Sequence, residues 1–159
     1  MIASPASPPA RRLTLTRQSF PDAPQIGLGE QLARLVAAVH AVRPELVWHF
    51  ADVDAQGGPF PKVPSKTPET LGEGTLLMLS ALKVQRFRSA VFVGVPPEVE
   101  APRFRPGGLF ADDLDLSDLG DAIVEIRVLD TAIITVTSPE GQLVEPLQEV
   151  FGGTLTSAP

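Results

Sequence analysis

Two runs of β-branched residues near the end of the chain are separated by a single residue. Residues 123–129 and 131–137 are rich in isoleucine, valine and threonine, and only Asp130 lies between them. Such residues pack well on a pleated surface, and two runs this close in sequence pair as an antiparallel hairpin. Glu125 and Arg127 alternate with apolar residues in the first run, so we predict that they lie on a solvent-exposed face. The hairpin requires a sheet that contains antiparallel pairing.

Further strands and helices are indicated by alternating and helical patterns of apolar residues. Strands are predicted at residues 13–16, 46–53 and 89–95, and helices at residues 28–42, 67–82 and 142–151. The second helix should begin at its Thr-Pro-Glu sequence, because a hydroxyl cap there precedes a proline and an acidic residue. Its stripe of Leu71, Thr75, Met78, Leu79 and Leu82 is expected to face the core.

The resulting order of elements, β-α-β-α-β-β-β-α, is typical of the α+β class. The helix between strands 46–53 and 89–95 should form a right-handed crossover that makes these two strands parallel. We therefore predict one domain, residues 11–152, with a mixed sheet of about five strands and the helices mainly on one face. Residues 1–10 are predicted to be a disordered tail, and residues 153–159 a second tail.

The composition excludes several kinds of protein. The chain has 159 residues and no cysteine, so it can form neither disulfides nor a thiolate metal site. No apolar run approaches the roughly 18 residues of a membrane helix, and the proline- and serine-rich start is unlike a secretory signal, which favours a cytosolic protein. The net charge of −6 argues against a nucleic-acid partner. Residues 101–159 alone carry three basic and ten acidic side chains.

Asp52 and Asp54 follow an apolar strand and precede a pair of glycines. A calcium loop of the EF-hand type is excluded, because Val63 stands where a bidentate glutamate is required. The two carboxylates could instead hold magnesium for phosphoryl or nucleotidyl transfer, with Asp130 as a third acid. No glycine-rich phosphate-binding motif accompanies them. The competing interpretation is a solvated exit from the strand into a turn.

The two histidines do not form a recognisable catalytic or zinc motif. His40 and His49 are nine residues apart, whereas a helical zinc pair is spaced at i and i+4. Strand alternation predicts that His49 points with Val53, on the face opposite to Asp52 and Asp54. The G-x-S-x-G motif of esterase-type serine nucleophiles is missing as well. Both histidines are therefore interpreted as packed side chains.

A cluster of aspartates is the second feature that suggests a function. Its members, interleaved with leucines, are Asp112, Asp113, Asp115, Asp118 and Asp121. This segment is either a solvated acidic loop or a recognition surface for a basic protein.

The leading functional hypothesis is a non-enzymatic cytosolic interaction module that needs no cofactor and binds or neutralises a basic protein through this acidic surface. A toxin or nuclease is one partner class that fits by charge alone. The alternative is a metal-assisted enzyme that acts through Asp52 and Asp54. A third hypothesis is a homo-oligomer that forms by strand addition at exposed edges, such as residues 13–16.

Overall fold

The computed structural model of the chain describes residues 10–23, 25–60, 68–105, 109, 111, 119–129 and 132–157. These residues form one seven-stranded antiparallel sheet and three α-helices. The strands are β1 (Arg11–Leu15), β2 (Val47–Gln56), β3 (Glu69–Glu73), β4 (Arg86–Val95), β5 (Val124–Leu129), β6 (Ile133–Ser138) and β7 (Thr154–Ser157). The helices are α1 (Gly29–Val42), α2 (Gly74–Leu82) and α3 (Gly141–Phe151), with a short 3-10 helix at Arg17–Ser19. The strand order across the sheet is β3-β2-β4-β5-β6-β1-β7.

The α+β class and the antiparallel hairpin of β5 and β6 are confirmed, but the mixed sheet is wrong. The strands predicted to be parallel, β2 and β4, are antiparallel. The chain inserts β3 before α2, and β3 runs antiparallel to β2 on the side away from β4. The crossover through α2 therefore connects β3 to β4, which are parallel to each other and separated by β2. The sequence prediction joined the right helix to the wrong strand.

The helix predicted to start at residues 67–69 starts later, at Gly74. Residues Glu69–Glu73 form β3 instead, and Gly72 has a φ of 129°, which is incompatible with a helix. Pairing with β2 thus overrides the local capping signal, of which Thr67 lies outside the described residues. The predicted C-terminal tail likewise contains β7, which pairs with β1. These two additional strands raise the number from five to seven.

The strand predicted as an exposed edge is internal. β1 lies between β6 and β7, and the hairpin strands lie further inside the sheet. The strand addition proposed at residues 13–16 therefore has no free edge to use. The edges of the sheet are β3 and β7.

All three helices pack on one face of the sheet, as predicted. Their core contains Leu35 of α1, Leu77 of α2 and Leu147 of α3 against Trp48 and Phe92 of the strands. The start of α1 approaches α2 so closely that only glycine fits at residue 29, where a Cβ atom would lie 2.1 Å from a carbonyl oxygen of α2. In the described residues, no helix has the length and apolar character needed to span a membrane.

The opposite face of the sheet, called the loop-covered face below, is covered by described residues of the chain between β4 and β5. Leu109, Ala111 and Leu119 from this segment pack on Val91 and Val93 of β4. This face was predicted to be solvent-exposed beside β5, and that prediction is wrong. The covering segment has no periodic pattern by which the sequence could have revealed it.

Candidate functional site

Asp52 occupies a bulge in β2 rather than a regular strand position. It is the non-glycine residue with a positive φ in the described part of the chain, at 49°, and the pairing with β4 shifts between Ala51 and Asp54. One carboxylate oxygen of Asp52, Oδ2, accepts a hydrogen bond of 2.8 Å from the backbone N–H of Ala111. The Ser89 hydroxyl donates to the carbonyl oxygen of Asp52 over 3.2 Å. Asp52 therefore ties the covering segment to the sheet.

The bulge also overturns the predicted alternation along β2. Val53 is buried with Trp48 and Phe50 in the core beneath the helices, not on the face of His49. Asp52, in turn, reaches the loop-covered face through its bond to Ala111. The extra residue of the bulge moves every later side chain of β2 to the other face.

The predicted metal site is only partly described. Among the described residues, no three histidine, aspartate or glutamate side chains are grouped closely enough to hold a metal ion. Asp130, proposed as the third acid beside Asp52 and Asp54, lies outside the described residues. The three-acid site therefore stays a prediction, with one oxygen of Asp52 already bonded to the backbone.

The predicted acidic recognition surface is described at one position. Asp112, Asp113, Asp115 and Asp118 lie outside the described residues. The fifth aspartate, Asp121, accepts a 2.6 Å hydrogen bond from the backbone N–H of Arg103 and donates its own N–H to the Arg103 carbonyl over 2.7 Å. Asp121 thus closes a backbone contact between two parts of the covering segment, and the use of the other four aspartates remains a prediction.

A charged cluster that the sequence reasoning missed lies under the covering segment. Glu125 is 1% exposed, and its Oε2 lies 2.5 Å from Nη2 of Arg105. Its Oε1 lies 3.5 Å from Nε of Arg127, which is also buried. Arg12 of β1 belongs to the same region, and desolvation by burial lowers its pKa although Glu125 acts to raise it. The alternation of Glu125 and Arg127 was visible in the sequence, but their burial depended on the cover.

Two threonine hydroxyls complete this buried polar layer. Thr137 stands between Glu125 and Arg12 in the strand register, and Thr135 is the neighbour of Arg127. Both threonine side chains are buried, and their Oγ1 atoms have no hydrogen-bond partner among the described residues. The layer holds arginines around one carboxylate and joins the covering segment to the sheet through Arg105.

A cleft opens where β2 and β3 meet the chain that leaves β4. It has a volume of about 360 Å³. The side chains that line it include Val47, His49, Thr70, Val95, Glu100 and Phe104.

His49 forms the polar part of the inner wall of this cleft. The residue is 6% exposed, its Nδ1 lies 3.1 Å from the Thr70 hydroxyl, and Phe104 contacts its ring edge-on with 5.2 Å between ring centroids. Burial lowers the pKa of His49, so the imidazole is neutral at pH 7. A neutral imidazole both donates and accepts hydrogen bonds.

The outer surface of α2 exposes three leucines. Leu76, Leu79 and Leu82 are 50%, 53% and 57% exposed, and their i, i+3, i+6 spacing places them on one side of the helix. The prediction had assigned Leu79 and Leu82 to the core, whereas Leu77 and Ala81 occupy it. The helix is apolar on nearly every side, so its periodicity could not indicate which side packs.

Exposed acidic residues lie on β3, the strand that leads into α2 and contacts it. Glu69 and Glu73 of β3 are exposed, and Glu73 directly precedes α2. Leu76 lies over the same strand, because a Cβ atom built on Gly72 would come within 3.0 Å of its Cδ1. We call Glu69, Glu73, Leu76, Leu79 and Leu82 together the α2 surface.

A scan against protein-family models, a search of curated proteins and a search of solved structures each found no match to the chain.

Proposed function

We propose that the chain is a non-enzymatic cytosolic interaction module that binds a basic, amphipathic segment of a partner protein on the α2 surface. The single observation that carries this proposal is the exposure of three leucines on one side of a nine-residue helix beside two glutamates. Contiguous apolar surface with a polar rim is a common feature of protein-binding sites.

The apolar character of the partner is inferred from the leucine surface that folding leaves exposed. Fully burying a leucine side chain stabilises a protein by about 1.5–3 kcal/mol. Leu76, Leu79 and Leu82 are each roughly half buried in the folded chain, so each contributes roughly half of this free energy. A partner that covers them would gain the remainder from all three at once. Apolar side chains spaced along one face of a partner helix or strand would match the spacing on α2.

The basic character of the partner rests on charge. The chain carries a net charge of −6, and Glu69 and Glu73 are exposed on β3, which leads directly into α2. Lys83 is exposed just after the other end of α2, so the basic residues of the partner are expected over the β3 end. Opposite charges would steer the encounter and fix the orientation, in a manner that salt weakens. The aspartates at 112–118 are proposed to add to this steering.

The alternative, a metal-assisted enzyme that acts through Asp52, Asp54 and Asp130, has less support. The hydrogen bond between Asp52 and Ala111 gives the first of these carboxylates a role in holding the fold. An interaction module needs no such convergence of acids, and its apolar contact residues are exposed.

The proposal can be tested with a fluorescently labelled synthetic peptide of lysine and leucine that forms an amphipathic helix. Its affinity for the full chain is measured by anisotropy at about 50 mM and about 500 mM salt, where electrostatic screening differs strongly. Leu79→Ser should weaken binding about tenfold, because it removes the central apolar contact. The double variant Glu69→Gln, Glu73→Gln should retain binding but lose part of its salt dependence.

Val150→Ser is the matched control for this experiment. Val150 is 68% exposed on α3, away from the α2 surface, so its replacement removes apolar surface elsewhere. Binding by Val150→Ser should equal that of the parent chain. Equal affinities of Leu79→Ser and Val150→Ser would refute the α2 surface, and a parent affinity that does not change with salt would refute the charge component.

A further inference from the structure

We propose that the cleft beside His49 is a binding site for a small molecule with an apolar body and an ammonium group. This goes beyond the protein-binding function, because the cleft lies on the loop-covered side of the sheet and α2 lies on the other side. The two sites share the β2–β3 region but none of their contact residues.

The size and walls of the cleft fit the apolar body. Its volume of about 360 Å³ is near the lower end of the range for ligand sites, which indicates a small ligand. Val47, Val95 and Val99 supply aliphatic walls, and the half-buried ring of Phe104 supplies an aromatic one. An aromatic or branched aliphatic group would displace water from these surfaces and gain the free energy of burial.

The charge of the cleft fits the ammonium group. Glu100 is the acidic residue among the described residues that line the cleft, and its side chain is exposed. A carboxylate beside an aromatic ring is a favourable environment for an organic cation, which gains from the ion pair and from the π electrons of the ring. An anionic ligand would meet repulsion at the same place.

The buried His49 and the exposed Thr70 that contacts it supply polar recognition at the inner wall. Thr70 engages Nδ1 of His49, which leaves Nε2 as the ring nitrogen through which a ligand could be recognised. Because burial keeps the imidazole neutral, it does not repel an ammonium group at pH 7. The inner wall can therefore hydrogen-bond a ligand amine or hydroxyl without opposing its charge.

The proposal can be tested by titrating the isotope-labelled full chain with phenethylamine and recording amide chemical shifts. Phenethyl alcohol and phenylacetate are matched probes that keep the ring and change the charge to neutral and negative. Phenethylamine should produce saturable shifts at Thr70, Val95 and Phe104, whereas phenylacetate should leave these amides unchanged. Equal responses to the amine and the carboxylate, or no response to the amine, would overturn the proposal.

Glu100→Gln tests the charged contact directly. It should weaken phenethylamine binding about fivefold, the upper range expected for an exposed ion pair. Glu98→Gln is the control, because Glu98 is exposed two residues earlier and does not line the cleft. Both side chains are exposed, so neither substitution should unfold the chain. Equal affinities of the two variants would show that the carboxylate does not recognise the amine. The leucine substitution on α2 should leave phenethylamine binding unchanged, so this site and the protein-binding site can fail separately.

Discussion

The two faces of the sheet are both buried, but they are buried in different ways. Under the helices the core is almost entirely aliphatic and aromatic, with Trp48, Phe87 and Phe92 at its centre. Under the segment between β4 and β5, apolar contacts alternate with buried charges and polar pairs, such as Glu125 with Arg105. A helix satisfies its own backbone and needs only an apolar surface to pack on. An irregular segment must find partners for its backbone groups as well.

The loop-covered face therefore depends on individual polar contacts, while the helix-covered face depends on shape and volume. Asp52 supplies an acceptor to the backbone of Ala111, and Asp121 does so for Arg103. Substitutions on the two faces should therefore differ in the kind and in the size of their effects.

The largest effect is expected from Phe92→Ala beneath the helices. Phe92 is fully buried and contacts Phe87 with 5.6 Å between ring centroids. Its truncation should lower the free energy of unfolding by about 3–5 kcal/mol, since transfer and cavity terms add. Val93→Ala, the next residue of β4 on the opposite face, should cost about 2 kcal/mol. Urea denaturation measures the free energy of unfolding of both variants. Equal losses in the two variants would contradict the expectation that the helix-covered face contributes more to stability.

A loss of about 3 kcal/mol is expected from Glu125→Leu on the loop-covered face. The substitution removes a carboxylate that contacts buried guanidinium groups, and such losses are larger than the net value of the ion pair. Glu145→Leu is the control, because its ion pair with Arg11 is exposed and should contribute less than about 1 kcal/mol. Similar denaturation midpoints for the two variants would mean that the Glu125 cluster is effectively solvated.

The two faces also differ in how far they could be predicted. The helix-covered face was anticipated because the aliphatic stripe of α1 and the alternation in β5 repeat with the period of their elements. The burial of Glu125 could not be anticipated, because it depends on a segment without periodicity. Aspartate tolerates the positive φ of the bulge at residue 52, but no sequence pattern fixed the position of the bulge. The metal and acidic-surface predictions remain untested, since Asp130 and four of the five clustered aspartates lie outside the described residues.

A loss of about 2 kcal/mol is expected from Asp52→Ala. The substitution removes the hydrogen bond to Ala111 and places alanine at a φ of 49°, and each change costs about 1 kcal/mol. Asp52→Asn should cost less, because asparagine keeps an acceptor oxygen and tolerates this conformation. Hydrogen exchange provides a local measurement: the Ala111 amide should lose protection in Asp52→Ala and keep most of it in Asp52→Asn. Unchanged exchange in both variants would remove Asp52 as the anchor of the covering segment.

The smallest effect concerns the pH dependence contributed by His49. Its pKa is lowered in the folded chain by burial, so below about pH 6.5 the unfolded chain binds more protons than the folded chain. The contribution of His49 to the free energy of unfolding should therefore be constant above that pH. It should decrease as the pH falls toward the lowered pKa. For a single group the slope cannot exceed about 1.4 kcal/mol per pH unit. His49→Gln should remove this part of the slope between pH 7 and pH 5, measured by urea denaturation. A slope that persists unchanged in His49→Gln would assign this pH dependence to other groups.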